Sequence, residues 1–130
     1  MNMLIAIAGA GIGGGLRHAT NLAVVRLLPG LSFPLSTVIV NVLGSFAMGI
    51  LIEVFAQRSA NDHPLSLFLT TGVLGGFTTF STFSLDAISL YERGEFVTAT
   101  LYVLGSVLAA MAGLVAALFL MRTVFAGEAA

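Results

Sequence analysis

Four long apolar stretches, separated by short breaks, constrain this chain more than any other feature of its sequence. They cover about residues 3–28, 34–56, 64–91 and 96–125, and a helix that crosses a bilayer needs roughly 20 apolar residues. Only 8% of the 130 residues are charged and the mean hydropathy is +1.05, whereas a soluble domain has about a quarter of its residues charged. We therefore expect an all-α integral membrane protein of four transmembrane helices, forming one transmembrane domain over residues 1–130.

Three prolines and two short polar segments mark the breaks between the stretches. Pro34 and Pro64 stand where a helix begins, a position that tolerates the missing amide proton, and Pro29 lies close by in the first break. Residues 57–63 and 92–95 are short and polar, so we expect hairpin loops there. The first stretch is apolar like a signal peptide, but no basic segment precedes it, and we expect it to be retained as a helix.

The arginines near the ends of the stretches give little preference for one orientation in the membrane. If the stretches alternate in direction, Arg58 and Arg122 lie on the side of the N-terminus. Arg26 and Arg93 then lie on the opposite side. Because loop arginines and lysines set orientation, this two-against-two count leaves the orientation open. The chain could insert both ways and pair as an inverted homodimer, or one orientation could prevail.

Rows of small residues offer surfaces on which helices can approach closely. In the first stretch, Gly9 and Gly13 form one row and Gly11 and Gly15 form a second. In the fourth stretch the row consists of Gly105, Ala109, Gly113 and Ala117. These rows predict close packing, either within one subunit or at a dimer interface, and the sequence leaves both open.

Missing residue types exclude several function classes. The chain has no cysteine, which excludes disulfides, thiolate metal ligands and thiol catalysis. It has no lysine and a formal net charge of −1, so we expect no nucleic-acid partner. Residues 9–14 fit the pattern G-x-G-x-x-G, but the next acidic residue is Glu53, whereas a dinucleotide site needs an acidic residue about 20 positions on. We expect the protein not to be an enzyme.

Arg17 is a permanent charge placed beyond the middle of the first stretch. An arginine at membrane depth is costly and usually faces water or a partner, although it can also extend toward the interface. No carboxylate lies nearby in sequence, so we expect Arg17 to line an aqueous vestibule that attracts anions. The carboxylates that fall toward the ends of the stretches are expected at the interface: Glu53, Asp86, Glu92 and Glu95.

Asn41 lies about a third of the way into the second stretch. A carboxamide in hydrocarbon must find hydrogen-bond partners. Asn41 either joins two helices or supplies a ligand group in a pore, and the sequence favours neither.

The third stretch carries the strongest functional pattern. Residues 70–84 read TTGVLGGFTTFSTFS, with phenylalanine at every third position from Phe77. Paired glycines weaken a helix, and threonine hydroxyls compete for its backbone hydrogen bonds, so we expect the third helix to break near its middle, over Gly75-Gly76 and the Phe77-Thr78-Thr79 that follows. If Gly75 has a positive φ there, it should tolerate no side chain.

Such a break at membrane depth has two possible uses. Freed backbone carbonyls can bind an alkali cation. The hydroxyl donors that follow, beside electropositive phenyl edges, can receive a small dehydrated anion. A packing face of aromatic and small residues is the alternative interpretation.

Three segments carry a pattern shared with a known family. They read GGGLRH at residues 13–18, STVIVNVLGSF at 36–46 and GGFTTFSTFS at 75–84. Together they closely resemble the Fluc/CrcB family of small dual-topology fluoride channels, and the resemblance covers all four stretches. The second and third segments are specific, whereas in the first His18 stands where the family often has tyrosine.

The resemblance implies a passive, fluoride-selective channel that crosses a bacterial cytoplasmic (inner) membrane several times, in contact with lipid. It implies an inverted homodimer with two antiparallel pores and one structural sodium ion, not transported, at the dimer centre. It assigns the vestibule to Arg17 and the sodium ion to the backbone carbonyls of Gly75 and Thr78. It assigns the fluoride pore to Asn41, Phe80, Ser81, Thr82, Phe83, Tyr102 and Ser106.

Two other functions remain open from the residues alone. A small multidrug exporter of cations has a similar size and charge balance, but proton coupling needs a carboxylate near the middle of a stretch, and the first stretch has Arg17 instead. A membrane scaffold without transport would explain the rows of small residues. It would not explain why Asn41 and so many hydroxyls are placed in hydrocarbon.

Overall fold

The computed structural model describes residues 2–58 and 63–128, and these residues are helical apart from short connections. The expected all-α fold is confirmed for them. The first, second and fourth apolar stretches form continuous helices, whereas the third is divided into consecutive helical pieces. In chain order the elements are α1 (Asn2–Leu27), α2 (Leu35–Gln57), α3 (Pro64–Leu67), a π-helical segment (Phe68–Leu74), α4 (Gly75–Phe77), α5 (Phe80–Glu92) and α6 (Phe96–Glu128).

The connections use proline and glycine where the backbone requires them. Pro64 begins α3, and the Leu65 amide donates to Nδ1 of the capping residue His63 at 3.2 Å. The hairpin expected over residues 57–63 lies partly outside the described residues, since 59–62 are not among them. In the hairpin at 92–95, Gly94 has φ +79°, a conformation that favours glycine.

Among the described residues, two helices are apolar and long enough to cross a membrane by length and composition. They are α2 and residues Phe96–Gly127 of α6, whose most apolar 18-residue segments have mean hydropathies of 2.1 and 2.4. The 33 residues of α6 extend about 50 Å at 1.5 Å per residue, which exceeds the hydrocarbon core of about 30 Å. Large apolar side chains such as Leu101 and Phe119 lie exposed along α6. This surface suits lipid, and the chain is a membrane protein.

Helix α2 makes its most extensive contact with α6. A Cβ atom added at Gly49 would lie 2.6 Å from the Leu114 carbonyl oxygen, and Ala117 beside it is fully buried. Farther along the same pair of helices, Arg122 Nε donates to Glu53 Oε2 at 3.1 Å. Glu53 is buried, and its expected position at the membrane interface stays a prediction. It joins α2 to α6.

Helix α1 packs against the π-helical segment and α4 through one of its two glycine rows. A Cβ atom at Gly9 would lie 2.6 Å from a backbone carbonyl oxygen of the π-helical segment, and one at Gly13 would overlap another. At Gly11 and Gly15 nothing lies within 4 Å. The row of Gly9 and Gly13 therefore packs within the protomer, whereas Gly11 and Gly15 face away from the described residues.

Candidate functional site

The third apolar stretch breaks just after its paired glycines. Helix α4 ends at Phe77, and Thr78 and Thr79 are extended, with φ and ψ of −76° and 158° and of −152° and 122°. The break expected over residues 75–79 is therefore present, and it lies at Thr78 and Thr79. Gly75 is right-handed helical, with φ −62°, so a positive φ at this glycine is wrong. Glycine is needed in this segment for close packing and not for a special backbone conformation, because a Cβ atom at Gly76 would overlap the backbone of α1.

Asn41 of α2 hydrogen-bonds both the amide and the carbonyl of Thr79, a residue of the break. Its Nδ2 donates to the Thr79 carbonyl oxygen at 3.0 Å, and its Oδ1 accepts from the Thr79 amide at 2.8 Å. The Asn41 carboxamide thus makes the same pair of hydrogen bonds with Thr79 that a neighbouring β-strand would make. It satisfies the Thr79 amide and carbonyl, which need hydrogen-bond partners at membrane depth. Of the two roles left open for Asn41, joining helices is observed, and the ligand role stays a prediction.

The same arrangement releases two backbone carbonyls from helical bonding. In an α-helix each amide donates to the carbonyl four residues earlier. The Thr79 amide donates to Asn41 instead, so it does not bond the Gly75 carbonyl. The Thr82 amide donates to Thr79 Oγ1 at 3.2 Å, so it does not bond the Thr78 carbonyl. These two carbonyls are the ones assigned to sodium, and neutral carbonyl oxygens are ligands that alkali cations accept.

A hydroxyl cluster caps the start of α5. Its centre is Thr79, whose Oγ1 donates to Thr82 Oγ1 at 3.1 Å and lies 3.3 Å from Ser81 Oγ. Thr79 is buried, whereas Ser81 and Thr82 are exposed. The cluster also lies at the electropositive end of a helix dipole, so it places hydroxyl donors where negative charge is favoured.

Four of the predicted pore residues line one cleft of about 340 Å³ between α2, α5 and α6, here called the inner cleft. They are Asn41, Phe80, Phe83 and Ser106. The rings of Phe80 and Phe83 have centroids 5.4 Å apart. Ser106 is 5% exposed, and its hydroxyl has no hydrogen-bond partner in the described part of the chain. The inner cleft therefore combines phenyl groups with a buried donor that the fold does not use.

A larger cavity of about 650 Å³, here called the vestibule, lies between α1, α2 and α5. The structure places Arg17 in its lining, half-buried, and the attraction of this cavity for anions stays a prediction. Thr79 lines both cavities, so they meet at the break. The polar side chains of the vestibule are Arg17, His18, Asn21, Ser32, Ser36, Thr37, Thr79, Thr82 and Asp86.

Tyr102 is not among the residues that line the inner cleft. It is 1% exposed, packs against the Phe83 ring at 5.3 Å between centroids, and its hydroxyl donates to Asp86 Oδ2 at 3.1 Å. Thr37 Oγ1 donates to the same oxygen at 2.7 Å. Asp86 is therefore a half-buried acceptor in the vestibule wall, and its expected position at the membrane interface stays a prediction.

Sequence reasoning missed Thr79, Thr37 and Asp86 as site residues. A signal for two of them existed, because Thr79, Thr82 and Asp86 follow the i, i+3, i+7 spacing of one helix face and all line the vestibule. Thr37 had no such signal. It reaches Asp86 only because α2 packs beside α5, 49 residues away along the chain.

Residues 4–118 match the model of the family described as CrcB-like protein, Camphor Resistance (CrcB). A protein of Methylobacterium nodulans named fluoride-specific ion channel FluC is 57% identical over 122 residues, which are 94% of this chain and 97% of that relative. A protein of the same name from Granulibacter bethesdensis is 48% identical over 128 residues, 98% of this chain and 99% of the relative. One from Paracoccus denitrificans is 48% identical over 122 residues, 94% of each chain.

Proposed function

We propose that this chain, which belongs to the CrcB-like family, is a channel that conducts fluoride selectively and passively out of the cell. Near full-length relatives carry the name fluoride-specific ion channel, a name that describes a channel and not an enzyme. The structural observation that carries the proposal is the inner cleft, where the unpartnered Ser106 hydroxyl lies among Asn41, Phe80 and Phe83.

Selectivity comes from neutral donors in a narrow space. The Asn41 amide group has two hydrogens, of which one is donated to Thr79, and the other is left for an ion. The Ser106 hydroxyl and the electropositive edges of the phenyl rings supply further partial positive charge. No side chain with a formal charge lines the inner cleft among the described residues. A dehydrated fluoride is therefore bound weakly enough to leave, which conduction requires.

The functional unit is an inverted homodimer with two antiparallel pores. Phe80 is 77% exposed in one protomer although it borders the inner cleft, so a second chain is needed to complete the wall on that side. Gly11 and Gly15 leave an open small-residue row for close helix approach. With Arg58 and Arg122 assigned to one side and Arg26 and Arg93 to the other, the arginine count is balanced, and this balance leaves both orientations open.

A structural sodium ion joins the two subunits at the break. The carbonyls of Gly75 and Thr78 from each subunit would supply four neutral oxygens, which suit a monovalent cation better than a divalent one. Because the ion binds only the assembled state, it favours the dimer. Replacing sodium with a large organic cation should shorten the dimer lifetime in detergent and reduce fluoride flux. Unchanged lifetime and flux after rigorous sodium removal would contradict this site.

The channel lies in a bacterial cytoplasmic membrane, which its chain crosses several times. The support is the exposed apolar surface of α6, which needs lipid around it, together with the length of α2 and α6. An exporter driven by protons would have to use Asp86 as its carrier, the one carboxylate that lines either described cavity. The following experiment separates that function from passive conduction.

Flux from proteoliposomes tests the proposal. Liposomes loaded with potassium fluoride are held at equal pH on both sides, with valinomycin present so that potassium carries the compensating charge. Release is followed with a fluoride electrode, with and without a proton ionophore. We expect rapid release that needs no proton gradient, and chloride release close to that of protein-free liposomes. Comparable chloride and fluoride fluxes would contradict selectivity. Release that is absent at equal pH and appears only in a parallel sample with an imposed pH gradient would assign the protein to coupled transport.

A further inference from the structure

Four hydroxyl-bearing side chains line the inner cleft among the described residues, and the fold uses the protons of two of them. Thr78 Oγ1 donates to a backbone carbonyl oxygen one turn earlier at 2.9 Å, and Thr79 Oγ1 donates to Thr82 Oγ1 at 3.1 Å. A hydroxyl has a single proton to donate, so neither group has one left for an ion in this arrangement. The other two hydroxyls of the inner cleft belong to Ser106 and Ser45.

Ser45 lies four residues after Asn41, on the face of α2 that borders the inner cleft, and it is half-buried. A serine or threonine within a helix can donate to the carbonyl four residues earlier. Thr70 and Ser84 do so in this chain, whereas the Ser45 hydroxyl makes neither this bond nor any other with the described residues. Ser45 is therefore a second donor of the inner cleft, beside Ser106, that the fold leaves free.

The packing of α2 on α6 shows where Ser45 lies along the inner cleft. A Cβ atom at Gly113 would lie 3.8 Å from the Cβ atom of Phe46, the residue after Ser45. Ser45 is therefore level with the part of α6 around Gly113, about two turns beyond Ser106. The α6 residues that line the cleft beyond Ser106 are all apolar: Val107, Ala110, Met111 and Leu114. Helix α6 thus offers no donor to the cleft at the level of Ser45.

We propose that Ser45 is a further donor of the fluoride pathway, which receives the ion after Ser106 and Asn41 as the ion moves along the inner cleft. This inference rests on the proposed function. An anion out of water is costly to hold without a hydrogen-bond donor, and beyond Ser106 the α6 side of the cleft supplies none. A further donor on α2 also spreads binding over several weak sites, from which an ion can leave.

Substitutions that remove or keep the hydroxyl of Ser45 test this inference. Ser45→Ala deletes the hydroxyl, Ser45→Thr keeps it, and Ser45→Val has nearly the shape of threonine without it. Fluoride flux is measured from proteoliposomes loaded with potassium fluoride in the presence of valinomycin, and thermal unfolding is measured in detergent. The matched control is Thr100→Ala, which removes an exposed hydroxyl that bonds its own backbone and lines neither cavity.

We expect Ser45→Ala and Ser45→Val to lower fluoride flux about five- to tenfold, because a hydrogen bond to the ion is lost. Ser45→Thr and Thr100→Ala should stay within about twofold of the wild type. The stability of Ser45→Ala should match the wild type, since its hydroxyl bonds none of the described residues. Undiminished flux or a loss of stability in Ser45→Ala, or equal flux in Ser45→Thr and Ser45→Val, would overturn the inference. A wild type that conducts no fluoride would instead overturn the proposed function.

Discussion

At the residue scale, the polar groups near the break divide into those that hold the fold and those that the fold leaves free. The Asn41 carboxamide and the Thr79 hydroxyl hold extended backbone and the start of α5. Ser106 instead buries a hydroxyl with no partner in the described residues. An unpaired buried hydroxyl costs about 1–3 kcal/mol. Ser106 lines the inner cleft together with Phe80 and Phe83, and for this reason we propose that its hydroxyl belongs to the fluoride pathway.

Replacing Ser106 separates those two roles. Ser106→Ala removes an unsatisfied buried group, so the free energy of unfolding should stay the same or rise. Fluoride flux should fall about five- to tenfold, because a hydrogen bond to the ion is lost. The matched control is Thr100→Ala on the same helix, an exposed residue that bonds its own backbone, and its flux should match the wild type. Full flux in Ser106→Ala would remove this hydroxyl from the pathway.

The two phenyl rings are tested by isoleucine, which is apolar but lacks the electropositive edge. Phe80→Ile and Phe83→Ile should each reduce fluoride flux about tenfold. Phe80 is exposed, so its variant should keep its stability, whereas Phe83 packs on Tyr102 and its variant should lose about 1–3 kcal/mol. Phe119→Ile, on the exposed surface of α6, is the control. Undiminished flux in both pore variants would assign these rings to packing.

At the element scale, the third stretch is a series of short helical pieces supported from outside. Helix α1 supports the π-helical segment and α4 through glycine contacts, and α2 supports the break through Asn41. Short helices are marginal by themselves, and irregular backbone at membrane depth needs buried partners. The geometry of the break therefore depends on α1 and α2.

Two glycine substitutions test whether each glycine is required for close helix packing or for its backbone conformation. In Gly13→Ala the new Cβ atom would lie 2.7 Å from the Phe77 amide nitrogen, so we expect a loss of about 1–3 kcal/mol or more in the free energy of unfolding. In Gly75→Ala the nearest atom, the Thr70 carbonyl oxygen, would lie 3.8 Å away, and the helical φ suits alanine. That variant should keep or gain stability. Thermal unfolding in detergent measures both, and equal losses would refute this packing.

At the scale of the whole molecule, the proposed homodimer accounts for two surfaces that a single protomer leaves open. Phe80 is exposed beside the inner cleft, and the row of Gly11 and Gly15 has no neighbour within the described residues. Both features support the proposed contact with a second copy. Balanced arginines would allow that copy to insert in the opposite direction.

Locking the orientation tests this assembly. Adding a few lysines to one terminus should fix insertion, because loop lysines and arginines are retained on the cytoplasmic side. We expect either locked form alone to conduct no fluoride, and co-expression of the two opposite forms to restore flux. Full activity from one locked form would contradict the inverted homodimer. The rescue by co-expression controls for damage caused by the added lysines.

Much of the architecture was predictable because it depends on local properties. Apolar length and charge composition predict helices at α1, α2 and α6, and the observed bounds lie within three residues of the expected ones. The motif around residues 75–84 identified the family, which the match over residues 4–118 confirms. These features are carried by consecutive residues, so no tertiary information is needed to recognise them.

Only the tertiary structure decided how the break is built and which groups it leaves free. Asn41 and Thr79 are 38 residues apart, and no local pattern shows that a carboxamide from α2 pairs with that one residue. The helix therefore breaks at Thr79, where Asn41 binds the backbone. It does not break at Gly75 and Gly76, which are the weakest helix formers but remain helical. Likewise, Gly9 and Gly11 have similar sequence surroundings, and only the position of the third stretch makes Gly9 buried and Gly11 open.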